Sequence, residues 1–160
     1  MSRAYIGLGA NLGDPAARLR LALAEIAALG EIVAVSPFYR SAPMGPADQP
    51  DFCNAVCVIE TPLAPAALMD ALLAIERGMG RVRQAKWGPR TIDLDLLHID
   101  RVVLDSAGLR LPHPGIATRN FVLVPMADIA PDLQVPGLGR VADAAARVGR
   151  AGLAPWSPQP

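Results

Sequence analysis

Apolar residues in this chain switch between the two-residue period of a strand and the three-to-four-residue period of a helix, in an order that few folds accommodate. Residues 4–9 (AYIGLG) read as a strand. Asp14 then suits an N-cap with Pro15 in the first helical position; Leu19, Leu23 and Ile26 repeat at helical spacing, and Gly30 ends the helix. Residues 31–40 and 51–60 read as strands on either side of a Pro- and Gly-bearing loop, SAPMGPADQP, at 41–50. Pro65 opens a second helix, where Leu68, Leu72, Ile75 and Met79 form one apolar stripe and Gly78 and Gly80 mark the end. A strand over 90–99 (RTIDLDLLHI) follows, then a short hairpin strand at 102–108, a turn at LPHPG, a last strand at 120–126 (NFVLVPM) and a weak Ala-rich helix near 140–149. The order strand-helix-strand-strand-helix-strand predicts an α+β domain with a ferredoxin-like βαββαβ core, its mainly antiparallel sheet flanked by helices. The 160 residues read as a single domain with a frayed tail, APWSPQP, at 154–160.

Charge and hydropathy exclude several function classes. The 15 basic and 15 acidic residues cancel, so a chain built to coat nucleic acid is not expected. Mean hydropathy is positive at +0.30, yet no run approaches the ~20 uninterrupted apolar residues of a spanning helix, and the N-terminus does not read as a signal peptide. Cys53 and Cys57 lie four apart in a strand-like run, which separates their α-carbons by roughly 13 Å and forbids a disulfide. Two free, buried thiols fit a reducing cytoplasm.

The local charge pattern is less even. Arg77, Arg81, Arg83, Lys86 and Arg90 fall within 14 positions, followed at once by Asp93 and Asp95. Arginine's planar fork suits bidentate phosphate binding. On a strand Asp93 and Asp95 share a face while Ile92, Leu94 and Leu96 point to the core. Side-by-side carboxylates repel unless a cation lies between them, and oxygen-only ligands suit magnesium that shares substrate phosphates. The same parity puts Phe52 and Asn54 on one face and Cys53, Ala55, Cys57 and Ile59 on the core face. An aromatic beside an amide can stack on and hydrogen-bond a flat heterocycle; core packing with a satisfied asparagine is the competing reading. Gly7, Gly9 and Gly13 miss the dinucleotide-binding spacing and read as a tight strand-to-helix turn. His98, in a core-like strand, reads as structural, and His113 as a turn histidine.

Taken together, SAPMGPADQPDFCNA, GRVR followed by WGPRTIDLDLL, and LPHPGIATRNFVLVPMADIAPDL closely resemble the hydroxymethyldihydropterin pyrophosphokinases of folate biosynthesis, over about residues 4–135. The resemblance implies transfer of pyrophosphate from ATP to the 6-hydroxymethyl group of 7,8-dihydropterin, with AMP released. It implies two magnesium ions on Asp93 and Asp95, with Arg81 and Arg90 completing the catalytic set. Glu76, Arg81, Arg83, Trp87, Arg90, His113 and Arg119 would line the ATP site. Pterin would stack between Phe52 and Phe121, with Asn54 and the backbone of Ser41, Ala42, Pro43 and Met44 reading its edge. Phe52, Leu73, Gly108 and Pro114 depart from residues frequent in that family; Arg110 could replace a phosphate contact missing at Gly108. The chain is expected to act as a cytoplasmic monomer, without nucleic-acid or membrane partners. Two other classes are a non-catalytic nucleotide-binding module of the same fold and a magnesium-dependent nucleotidyltransferase.

Overall fold

The computed structural model describes residues 1–43, 49–80 and 92–160. Its centre is an antiparallel sheet in which β1 (Ser2–Ala10) lies between β4 (Phe52–Thr61) and β5 (Asp93–Ile99). β2 (Glu31–Val35) and β3 (Tyr39–Ser41) both pair with β4, and β10 (Leu153–Pro155) adds to the outer edge of β3. The helices α1 (Pro15–Ile26) and α2 (Pro65–Gly78) make the two crossovers. With β2 and β3 counted as one broken strand, this is the expected ferredoxin-like order.

The expected single strand over 31–40 breaks at Ser36-Pro37. Proline has no N–H for the ladder, and the Ser36 hydroxyl instead receives the Val56 N–H at 2.9 Å. Asp14 caps α1 as expected, its carboxylate accepting from the Ala17 N–H at 3.2 Å. Gly30 is needed for a close approach more than for a helix stop, since a Cβ there would lie 2.2 Å from the Glu60 carbonyl oxygen.

Each face of the sheet carries its own core. Ile6, Leu8, Cys57, Ile59, Leu94 and Leu96 pack under α1 and α2, whose Leu19, Ile26, Leu68 and Leu72 are fully buried. Each such side chain contributes roughly 1.5–3 kcal/mol. On the opposite face Tyr5, Val56, Val58 and Leu97 pack against α3 (Asn120–Ile129) and α4 (Val141–Val148). In place of the expected strand at 120–126, NFVLVPM forms most of α3. Val122 to Met126 are all buried in α3, and a helix apolar on every side fits only where neighbours enclose it. Tertiary burial overrides the β-branched preference. The expected hairpin is present as β6 (Leu104–Ser106) and β7 (Leu109–Leu111), and a second small pair, β8 (Gln134–Val135) with β9 (Gly139–Arg140), precedes α4. The tail also differs from expectation. Residues 153–155 form β10, and Trp156 packs against the core.

Cys53 and Cys57 are free and buried, and burial pushes both thiols up to about 12. Thiols held neutral in this way are poor nucleophiles and metal ligands. A bulge interrupts β5: Tyr5 pairs with His98 but Ile6 pairs with Leu96, leaving Leu97 as the extra residue. His98 is buried, stacks on Tyr5 with ring centroids 5.6 Å apart, and places Nε2 3.7 Å from Asp100 Oδ1.

Burial lowers the His98 pKa against a weaker opposing pull from Asp100. The unfolded chain then binds more protons than the folded one once pH falls below about 6.5. Stability is expected to fall below that pH by up to ~1.4 kcal/mol per pH unit from this residue, until the folded-state pKa is reached. Denaturant unfolding at pH 7.5 and 5.5 checks this: His98→Leu is expected to lose less stability over the interval than the wild-type chain.

Candidate functional site

Beyond the area covered by α3 and α4, the second face of the sheet is floored by glycine. Gly9 pairs with Asn54 on one side and with Asp93 on the other, and Gly7 pairs with Val56 and Asp95. Cross-strand partners point to the same face, so Phe52, Asn54, Asp93 and Asp95 surround a patch of bare backbone. A Cβ on Gly9 would stand 3.2 Å from Asn54 Oδ1 and 3.9 Å from the Phe52 ring. Gly9 therefore serves the open face rather than the turn expected of it, whereas Gly7 is buried, with the Leu97 side chain 3.5 Å from where its Cβ would stand; Gly13, with φ of +64°, is the turn residue.

On the β4 side, Asn54 is buried and donates from Nδ2 to Ser41 Oγ at 2.7 Å. Phe52 is half-buried at the strand end, opposite Ser41. Ala42 is exposed and Pro43 half-buried just beyond β3. The far end of that loop is anchored by Asn11, whose amide donates to Gln49 Oε1 at 3.1 Å and to the Pro50 carbonyl at 3.0 Å. Phe121, in the first turn of α3, is half-buried against the second core.

On the β5 side, Asp93 and Asp95 are half-buried while Leu94 between them is buried, as alternation requires. Among the described residues Asp95 lies near Arg119 Nη1 at 3.7 Å and His113 Nε2 at 4.0 Å. The Gly115 N–H donates to His113 Nδ1 at 2.9 Å, so the neutral ring carries its proton on Nε2 and presents it toward Asp95. Burial, then the Arg119 charge, hold the His113 pKa below the ordinary value, with Asp93 opposing. His113 is thus a neutral donor at physiological pH. Arg119 lies across Gly115: a Cβ at that glycine would sit 2.7 Å from the guanidinium carbon.

Glu76, expected to face the nucleotide, is buried in α2 and accepts the Leu94 N–H at 2.7 Å. It acts on the site through the β5 backbone, fixing the residue between the two aspartates. A cleft of about 280 Å³ opens beside Asp95 and His113, bounded by Met69, Gly108, Arg110 and Pro114. Sequence reasoning did not find Met69, and its position on the exposed edge of the α2 stripe was the only signal available. Arg81, Arg83, Trp87, Arg90 and Met44 lie outside the described residues.

Among the described residues no group of three or more His, Cys, Asp or Glu is placed to hold a metal ion. Two half-exposed carboxylates on one strand face nevertheless fit magnesium, which takes its remaining ligands from water and phosphate oxygens.

The model of the family described as 7,8-dihydro-6-hydroxymethylpterin-pyrophosphokinase matches residues 5–131. The chain is 50% identical over 138 residues to 2-amino-4-hydroxy-6-hydroxymethyldihydropteridine pyrophosphokinase of Pseudomonas aeruginosa, covering 85% of each chain. It is 46% identical to the protein of the same name from Haemophilus influenzae, covering 85% of this chain and 86% of that one. Among solved structures, wild-type Plasmodium falciparum HPPK-DHPS with pteroate shares the fold, with a TM-score of 0.73 at 14% identity. That match covers 91% of this chain, which spans 42% of the solved one.

Gly115→Ala is expected to displace the Arg119 guanidinium from Asp95 while leaving the cores intact. Magnesium-ATP binding should weaken several-fold, read by titration calorimetry, with a thermal midpoint within about 2 °C of wild type.

Proposed function

The chain belongs to the 7,8-dihydro-6-hydroxymethylpterin-pyrophosphokinase family, and on that premise we infer that it transfers pyrophosphate from ATP to the 6-hydroxymethyl group of 7,8-dihydropterin in folate biosynthesis. The hydroxymethyl oxygen attacks the β-phosphorus, the bond from that phosphorus to the oxygen shared with the α-phosphate breaks, and AMP leaves with that oxygen. The hydroxyl proton passes to solvent.

The observation that carries this reading is the pairing of Gly9 with both Asn54 and Asp93. It supports a pterin subsite and a phosphate subsite on one bare floor, so that the two substrates meet across a single strand. We place the pterin against Phe52 and Phe121, with Asn54, held by Ser41, reading its amide edge. The backbone of residues 41–44 completes the set by resemblance. Asp93 and Asp95 would hold two magnesium ions, which when bound neutralise phosphate charge and lower the pKa of the attacking hydroxyl. His113 donates from Nε2, and Arg119 from its guanidinium, to phosphate oxygens. Arg81, Arg83, Trp87 and Arg90 are assigned to the ATP site by resemblance, with Arg81 and Arg90 on the transferring group. Positioning and charge complementarity are the main sources of rate in such a transfer. The lack of a helix long and apolar enough to cross a membrane among the described residues, and the two buried unpaired thiols, support a cytoplasmic chain. We also propose a monomer, and the cancelling charge supports a chain without nucleic-acid partners.

AMP release measured with and without the dihydropterin tests the reaction. AMP is expected only when both substrates are present; pyrophosphate as product would indicate nucleotidyl transfer instead. Asp95→Ala is expected to lower turnover by at least a hundredfold while the circular dichroism spectrum stays unchanged, because the side chain is half-exposed. Near-normal turnover in that variant would overturn the metal assignment. Arg90→Ala is expected to lower kcat more than it weakens ATP binding, the pattern of a contact that strengthens in the transition state. Steady-state kinetics set against ATP titration checks this.

A further inference from the structure

Residues 153–159 touch no proposed substrate group, yet they are fastened to the strand that shapes one side of the floor. β10 pairs along the outer edge of β3, with Leu153 opposite Ser41, Ala154 opposite Arg40 and Pro155 opposite Tyr39. The Trp156 N–H donates to the Phe38 carbonyl at 3.0 Å. Gln159 then closes a loop of bonds around Phe38. Its Oε1 accepts the Phe38 N–H at 2.9 Å, and its Nε2 donates to the Phe38 carbonyl at 2.8 Å and to the Trp156 carbonyl at 2.6 Å.

A second line of contacts runs through side chains. The Arg40 guanidinium lies over the Trp156 ring, 4.3 Å from its centre, and its Nη1 stands 3.7 Å from Asp51, the residue before Phe52. The inner edge of β3 faces β4, with Tyr39 opposite Asn54 and Ser41 opposite Phe52. Ser41 in turn orients the Asn54 amide. β3 has only three residues and follows a proline, so pairing with β4 alone leaves it a short, frayed edge.

We propose that the segment 153–159 is a positioning element for the pterin subsite, acting through β3 on Ser41 and Asn54. The inference rests on the function proposed above. When the Trp156 and Gln159 contacts are lost, β3 frays, the Ser41 hydroxyl leaves Asn54, and the amide no longer stands ready for the heterocycle. The phosphate side does not share this dependence, because Asp93, Asp95 and His113 are carried by β5 and the turn after β7.

The test is a comparison of Michaelis constants in the full-length chain for wild type, Gln159→Ala, Trp156→Ala and Trp156→Phe. Gln159 is exposed, so its alanine variant is expected to fold normally and keeps the test decisive if Trp156→Ala does not. Gln159→Ala and Trp156→Ala are expected to raise the KM for the dihydropterin roughly three- to tenfold, the order that loss of one or two hydrogen bonds produces. The KM for ATP and kcat should stay within about twofold, and Trp156→Phe should recover most of the effect by keeping an aromatic face under Arg40. Unchanged pterin KM, or equal rises for both substrates, in a folded Gln159→Ala chain overturns the inference alone. A wild-type chain without pterin-dependent AMP release overturns the underlying function, and this inference with it.

Discussion

The structure depends on one register. Gly9 of β1 faces Asn54 across one ladder and Asp93 across the other. Antiparallel pairing sets neighbouring strands about 4.8 Å apart, so the amide and the carboxylate flank the glycine at a separation fixed by backbone hydrogen bonds. A one-residue slip would turn Asp93 and Asp95 into the core beneath α1 and α2 and bring Leu94 to the surface. The two apolar cores hold against that slip. The amide and the two carboxylates are thus placed by the most cooperative part of the fold.

α2 supports the carboxylate side of the site through the β5 backbone. α2 buries Leu68 and Leu72 against the sheet, and the next turn on the same face carries the Glu76 carboxylate to the Leu94 N–H. A buried carboxylate bonded to backbone holds its partner strongly, and this one grips the peptide between two like-charged side chains. Repulsion between Asp93 and Asp95 is thereby kept from distorting the strand end. The turn from Pro112 to Arg119 makes a similar local bargain: Gly115 gives up its side chain so that Arg119 can lie flat, while its N–H fixes the tautomer of His113.

Much of this was legible in the sequence because it follows from period and parity. The βαββαβ order, the Asp14 cap, the shared face of Asp93 and Asp95, and the opposed face of Phe52 and Asn54 all depend on local spacing. What was not legible depends on neighbours distant in sequence. Residues 120–126 carry a strand-like composition but are enclosed by the sheet and α4, which makes a fully apolar helix stable. The tail reads as frayed because prolines crowd it, whereas its partners, Phe38 and Arg40, lie more than 110 positions earlier. The bond from Glu76 to the Leu94 N–H was not legible either, because nothing in its own helix reveals that β5 passes beneath it. The glycines of β1 were assigned to a turn because their use, an absence of side chain between two other strands, appears only once the strand order is known.

The bulge at Leu97 makes β5 two strands in succession. Strict alternation from Asp95 would carry Ile99 to the open face and turn His98 toward α1 and α2. The extra residue resets the phase, so Ile99 joins the first core while Leu97 and His98 join the second. The segment before the bulge presents Asp93 and Asp95 to the open face, and the segment after it is packed on both sides. A one-residue deletion within 92–96 and one within 97–99 are consequently different lesions. The first shifts the carboxylates against Gly9, whereas the second can be absorbed by straightening the bulge. Length variation in this strand is tolerable on one side of Leu97 only.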